Sequence, residues 1–487
     1  MTQVPNFRIQ KCNQAGENPQ GAYVLYWMIA NRRTFWNFSL QRAVEWSKRF
    51  DKPLVILEAL RCGYQWASDR IHRFVIEGMQ DNAARLHNTG VFYYPYLEPE
   101  AGAGKGLLGE LGKRACVIVT DDFPAFFLPR MVAGASHVSV LMEKIDSNGV
   151  MPIHWTDRVF VTAFSFRRFL QNNIEPHLHS FPVPDPLSAG VRPFNERLPG
   201  RILKHWPPAH DVLRSLKGGS LASFPIDHSV SPSPIPGGKR AANRILKKFL
   251  KKGLNRYADS RNHPDDDATS GLAPYLHFGH ISVHQVFQEL IDHEGWSKNK
   301  IWTDGRGHRE GWWGMSRNAE AFLDQLIIWR ELGYNMCANV DIYDRYESLP
   351  AWARETLDRH KKDHRSSAYG LDNLENADTQ DPIWNAAQRQ LKREGRLLNY
   401  LRMLWGKKIL EWTRSPEEAL AVMIHLNNKY ALDGRDPNSY TGIFWTLGRY
   451  DRPWAPERPV FGKIRYMSSD STRRKLRLKQ YLRKYSE

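Results

Sequence analysis

The sequence predicts an α/β plus all-α protein: a parallel α/β domain over residues 1–180, a connection over 181–238, and an all-helical domain over 239–487. Three observations lead there. At 487 residues the chain exceeds what one hydrophobic core organises. Its first third alternates short apolar runs with amphipathic stretches, the rhythm of βαβ units beneath covering helices. After a Pro-rich break the strand-like runs stop, and apolar residues recur at helical spacing.

Each element follows from its residues. Ala22–Met28 (AYVLYWM) is a short apolar run suited to a buried strand, and NFSLQRAVEWSKRF after it reads as helix. Pro53–Leu60 is a second strand. In Asp69–His87, Ile71, Phe74, Val75, Met79, Ala83 and Leu86 fall at helical spacing. VFYYPYL, Ala115–Asp122 and His137–Asp146 complete five strands. No GxGxxG follows the first strand, so nothing marks this domain as a dinucleotide binder. From Phe181 to Gly238 the pattern breaks at Pro182, Pro184, Pro186, Pro207 and Pro208, then at SVSPSPIPGG, as an interdomain connection would. Lys239–Arg256 is a basic amphipathic helix bearing Lys239, Arg240, Arg244, Lys247, Lys248, Lys251 and Lys252. Beyond Ile301 the expectation is helix throughout.

Composition narrows the function. Hydrophobic residues at 41% and charged residues at 25% describe an ordinary globular protein. A formal net charge of +17 points to a polyanionic partner, most simply nucleic acid. Cys12, Cys62, Cys116 and Cys337 show no CxxC spacing, so neither a disulfide frame nor a zinc site is expected. No run approaches the roughly 20 apolar residues of a membrane span, and MTQVPNFRIQKCNQ lacks the apolar core of a signal peptide. The expectation is a cytoplasmic monomer with no membrane or metal.

The stretch from Asp381 to Trp445 carries the chemistry. Trp405 and Trp412 lie seven residues apart in a helical pattern, roughly 10 Å at 1.5 Å per residue, within range for electrons to hop between rings. Trp384 precedes them. Core packing alone explains many such pairs, but Asn399, Arg402, Asp433, Asp436 and Asn438 are woven among these rings. Buried polar groups need partners, and a flat, polar-edged cofactor supplies them.

The segments DPIWNAAQ, LRMLWGKKILEW, YALDGRDPN and GKIRYMS resemble the FAD-dependent DNA photolyases, specifically the class II cyclobutane pyrimidine dimer type of the photolyase/cryptochrome family. The resemblance covers most of the chain. It implies a Rossmann-like N-terminal antenna domain, which would hold a deazaflavin, a folate or nothing, and a helical domain binding FAD and UV-damaged duplex DNA. Tyr257 and the segment TSGLAPYLHFGHIS resemble the flavin-phosphate region: Thr269 and Ser270 would offer hydroxyls, Gly271 close backbone approach, and Leu272 and Ala273 the N–H groups of a helix start. Ala273 departs from the family, which often has Ser there. Arg402 and Asp433 would pair beside the flavin ring, with Gly434 in the same loop, and Asn427 or Asn438 would face its N5 edge. Trp405, Trp384 and Trp412 match the electron-transfer chain in that order outward. Trp329, Met403 and Trp445 match the lesion pocket. Gln325 stands where the family usually has Glu; it donates to a thymine carbonyl but carries no acidic proton. Arg452, Trp454 and Arg465 match positions that fill the gap left when the dimer is extruded, a step costing a few kcal/mol.

The resemblance implies that excited, reduced FAD donates an electron to the dimer, the ring opens, and the electron returns. Three other readings are a cryptochrome-type photoreceptor, favoured by Gln325; a (6-4) photolyase; and a non-enzymatic DNA-binding protein, which would be colourless. The charge yields one expectation: DNA affinity falls steeply with added salt as counterions are released, and a flat response in a titration from low to moderate salt would contradict it.

Overall fold

The computed structural model describes residues 3–216 and 219–486. Their contacts form two compact units interleaved along the chain. The first comprises Met1–Trp155, Pro176–Leu246 and Leu272–Glu289; the second comprises Thr156–Glu175, Lys247–Gly271 and Leu290–Glu487.

A six-stranded sheet organises the first unit. Its strands are β1 (Ile9–Lys11), β2 (Tyr23–Met28), β3 (Leu54–Leu60), β4 (Phe92–Leu97), β5 (Ala115–Asp121) and β6 (Met142–Ile145), in the order β1-β6-β5-β2-β3-β4. β2 to β6 are parallel, with Tyr26 opposite Ile56 and Ile56 opposite Tyr93. β1 pairs antiparallel with β6, Ile9 opposite Ile145. β2 and β5 are buried along their whole length, which is why they read as unbroken apolar runs and not as alternation. Parallel neighbours need crossovers, and the helices Phe38–Phe50 and Asp69–Leu86 supply two of them.

Four expected strands recur with one end moved by a single residue. The fifth shortens, because residues 137–140 form a turn and pairing with β5 begins only at Met142. β1 was not anticipated; three residues are too few to show a period. Asp121, at the end of β5, secures the turn after β2. It accepts hydrogen bonds from the backbone N–H of Ile29, Ala30 and Asn31 at 2.8–2.9 Å and from the Tyr26 hydroxyl at 2.8 Å. A buried carboxylate with four donors meets its desolvation cost locally.

Residues 181–238 are not a free connection. Leu187, Leu213, Leu216, Leu221 and Phe224 join the core that covers the sheet, and Ile202 and Val230 are buried. Proline there breaks secondary structure without preventing packing. The basic helix also ends sooner than expected: it runs Gly238–Lys248, then passes through a π turn, Phe249–Gly253.

The second unit is helical, though not throughout. Around Gly305, Gly307, Gly311 and Gly314 the chain is irregular, and the buried Glu320 carboxylate accepts from the backbone N–H of Gly311 and Met315. The principal helices are Ala163–Asn173, Arg330–Asn339, Pro382–Glu394, Asn399–Trp412, Pro416–Tyr430 and Pro437–Thr446. Among the described residues no helix is long and apolar enough to cross a membrane, and no group of three or more His, Cys, Asp and Glu is arranged to hold a metal.

The first unit carries a pH dependence. The His280 ring stacks on Phe74 at 5.1 Å, its Nδ1 accepts from the Gly238 N–H at 3.0 Å, and burial pushes its pKa down to about 3 from 6.5. Burial likewise lowers His72 to about 4. Below pH 6.5 the unfolded chain protonates these rings while the fold keeps them neutral, so stability falls as pH drops toward 3, by roughly 1.4 kcal/mol per pH unit per ring. His280→Gln is expected to flatten that slope in urea melts at pH 6.5 and 4.5; an unchanged slope would place the acid sensitivity elsewhere.

Candidate active site

Asp381 starts the helix that brings the third tryptophan in. Its carboxylate caps the helix by accepting from the N–H of Ile383 and Trp384 at 3.0 and 3.1 Å, with Pro382 in the first turn. Trp384 then donates its Nε1–H to the Trp405 carbonyl at 3.0 Å, and Trp405 donates its own to Gln388 Oε1 at 2.9 Å. The two indoles lie parallel, centroids 6.4 Å apart at 1°. Trp412 meets Trp384 edge-on at 5.4 Å, and Tyr369 meets Trp412 edge-on at 5.1 Å. The gap between Trp405 and Trp412 is therefore bridged by Trp384 from the neighbouring helix. Gln388 and Tyr369 were not anticipated; the clue to Gln388 was its position four residues after Trp384 on one helix face.

Three residues before Trp405 on the same helix, Arg402 reaches back to the loop after the Pro416–Tyr430 helix. Its Nη2 lies 3.0 Å from both carboxylate oxygens of Asp433, and both side chains stay partly accessible. Gly434 beside it is needed for close approach, since a Cβ there would stand 2.7 Å from the Asn427 carbonyl oxygen. Asp436 caps the Pro437–Thr446 helix through the Asn438 N–H and accepts from Tyr334, whose hydroxyl in turn accepts from Arg330. Asn427 is buried with its amide donating to Ser439 Oγ at 2.8 Å and Asn428 Oδ1 at 3.2 Å, whereas Asn438 is half-buried on the first turn. Asn399 is exposed at the start of its helix.

Arg465 gathers the aromatic platform. Its guanidinium sits 5.4 Å from the Trp445 ring and 4.1 Å from the Trp454 ring, and Arg452 lies 5.0 Å from Trp454. Asp451 fixes the group, accepting from Arg465 Nε at 3.0 Å and from Trp454 Nε1 at 3.3 Å. Gln325 and Trp329 are the second and last residues of a separate π turn, Asp324–Trp329, of the kind often found at functional sites. There Arg167 Nε and Nη2 clamp Asp324 Oδ1, and Gln325 Nε2 donates to Asp324 Oδ2 at 3.5 Å. Trp329 and Met403 are half-buried.

Thr269 and Ser270 are half-buried, and Gly271 adopts φ +68, a left-handed conformation that glycine takes readily. The helix that follows is only Ala273–His277, with Pro274 lacking an N–H, so its dipole and donor set are smaller than expected. Leu272 is buried and Ala273 exposed. Tyr257 is buried edge-on against Phe249 and Phe322, and burial raises its pKa. The donors and acceptors of Arg402, Asp433 and Asn399, with those of Asn427 or Asn438, suit the polar rim of a flat heterocycle such as a flavin, and the hydroxyls of Thr269 and Ser270 suit a phosphate.

No family model matches the chain. It is 33% identical over 482 residues to a deoxyribodipyrimidine photo-lyase of Methanothermobacter thermautotrophicus, covering 98% of this chain and 97% of that one. It is 33% identical to one of Oryza sativa subsp. japonica, covering 98% and 89%, and 30% identical to one of Potorous tridactylus, covering 96% and 82%. A bacterial class III photolyase from Agrobacterium tumefaciens shares the fold, with a TM-score of 0.65 at 16% identity over 96% of this chain and 86% of that one. The chain belongs to the deoxyribodipyrimidine photo-lyase family of enzymes.

The site depends on close helix packing at Gly406, where a Cβ would meet Thr446 Cγ2 at 2.6 Å and Met423 Sδ at 3.0 Å. Gly406→Ala is expected to cost about 1–3 kcal/mol in chemical denaturation by overpacking; an unaltered midpoint would show that the crossing has slack.

Proposed function

We propose that this enzyme repairs cyclobutane pyrimidine dimers in UV-damaged duplex DNA, driven by light. Bound reduced FAD would supply the electron that opens the dimer ring and takes it back, without net redox change. The observation that carries this reading is the unbroken ring contact Trp405–Trp384–Trp412 behind the Arg402–Asp433 pair, in a chain of this family. Arg402 and Asp433 would hold the flavin ring, Asn427 its N5 edge, and Thr269, Ser270 and Gly271 its phosphates. Asn427 is preferred to Asn438 because Ser439 and Asn428 fix its amide.

The remaining roles belong to the protein's own groups. Lysines and arginines of the +17 chain bind phosphates without reading sequence. Trp445, Trp329 and Met403 would line the lesion pocket, Gln325 would hydrogen-bond the dimer, and Arg452, Trp454 and Arg465 would occupy the vacated duplex position. The enzyme would act as a cytoplasmic monomer, its antenna domain holding a deazaflavin, a folate or neither.

The deciding experiment is repair of a cyclobutane thymine dimer in duplex DNA by reduced protein, under near-UV to blue light with a dark control. Light-dependent recovery of thymine supports the reading. Damaged-DNA binding without recovery points to a (6-4) substrate or to a pocket crippled for repair. Retained FAD with neither outcome favours the photoreceptor reading that Gln325 permits. Two variants refine the roles. Trp405→Phe is expected to abolish flavin photoreduction while sparing repair by chemically reduced enzyme, and undiminished photoreduction would remove Trp405 from the electron path. Trp445→Ala is expected to weaken damaged-duplex binding by ~1–3 kcal/mol, the worth of a base stack; unchanged affinity would take it out of the pocket.

A further inference from the structure

Lys407 is a lysine where the packing has no evident need for one. Its side chain is fully buried, 0% accessible, one residue after the Gly406 crossing. Its Nζ donates to the Thr446 carbonyl at 2.6 Å, at the end of the Pro437–Thr446 helix, and lies 4.9 Å from the Trp445 ring centroid. A cation is favourable at a helix C-terminus and against an indole face, but costly to bury without a carboxylate. The charged groups that act on it are Asp451, which favours the cation, and Arg465, which opposes it. Asp451 is already engaged by Arg465 at 3.0 and 3.3 Å. The Pro437–Thr446 helix, PNSYTGIFWT, brings no charge, and the adjacent Lys408 is paired with Glu411 at 2.8 Å.

We propose that Lys407 is the positioning residue for Trp445, and that its protonation holds the indole in the conformation that selects damaged DNA. The inference rests on reading Trp445 as the lesion platform. It links two helices of the site: the one bearing Arg402 and Trp405, and the one ending in Trp445 and Thr446. Loss of the proton would leave the amine a weaker donor to the Thr446 carbonyl and remove one of the two cations at the Trp445 ring, Arg465 remaining 5.4 Å from it. Burial first, and Arg465 second, push the Lys407 pKa down to about 7, with Asp451 opposing, so the change falls in the neutral range. The charged form is the competent one, and selectivity declines as pH rises.

The test is equilibrium binding of holoenzyme, in the dark, to matched duplexes with and without one thymine dimer, from pH 6 to 8.5. The ratio of the two affinities cancels the general phosphate contribution. In the wild-type protein that ratio is expected to fall roughly five-fold across the range, the scale of one cation–π contact. In Lys407→Met it is expected to be low and flat. Lys407→Arg, charged at every pH used, is expected to keep the ratio high and flat. A flat wild-type profile, or a wild-type slope surviving in either variant, would overturn the proposal, and the arginine variant decides if the methionine variant does not fold. Trp445→Ala separates the two layers: retained selectivity there removes the platform reading itself, whereas lost selectivity together with a sloping Lys407→Met profile removes only the role of Lys407.

Discussion

Trp384 lies ring over ring with Trp405 because neither indole is free to turn. One N–H is committed to the Trp405 carbonyl and the other to Gln388. Both bonds depend on where the Pro382–Glu394 helix begins, and that is set by the Asp381 cap. Were the cap to slip by one residue, Trp384 would rotate by about 100° around its helix and leave the space between Trp405 and Trp412. Burial brings the two indoles together, and hydrogen bonds at both rings and at the helix end set their orientation.

The Asn399–Trp412 helix is used on every side. Arg402 faces the Asp433 loop, Trp405 the neighbouring tryptophan, Gly406 the crossing helices, and Lys407 the end of the Pro437–Thr446 helix. Beyond its exposed first residue, Asn399, such a helix has no fully exposed stripe, and its residues show little amphipathic period. Its position is determined by polar contacts placed between apolar ones, each of which must be satisfied for the burial to be favourable.

Much of the fold was legible. Strands buried in a parallel sheet announce themselves as apolar runs, and Tyr23–Met28 and Leu54–Leu60 needed nothing more. The fate of residues 181–238 was hidden, because proline reports on local backbone and not on what Leu213 or Phe224 packs against. In the site, the Trp405–Trp412 spacing could be read from one helix, but the insertion of Trp384 between them joins residues 21 positions apart and leaves no local trace. The Arg402–Asp433 pair, 31 positions apart, was anticipated only through family resemblance. Nothing in the sequence marks Lys407, because a lysine in a helix is ordinarily solvated.

The interleaving of the two units has a consequence for how the chain is made. The first unit lacks its last segment, Leu272–Glu289, until well over half of the protein has left the ribosome, and by then Thr156–Glu175 and Lys247–Gly271 are waiting for partners that lie beyond Leu290. Domains usually fold in order as they emerge, but here neither unit can close on its own stretch of chain. A fragment cut at residue 180 would expose the sheet where Leu213, Leu216 and Phe224 normally cover it. Each unit is therefore completed only by segments that lie outside its own first stretch of chain, so isolated halves are poor mimics of the parts they came from.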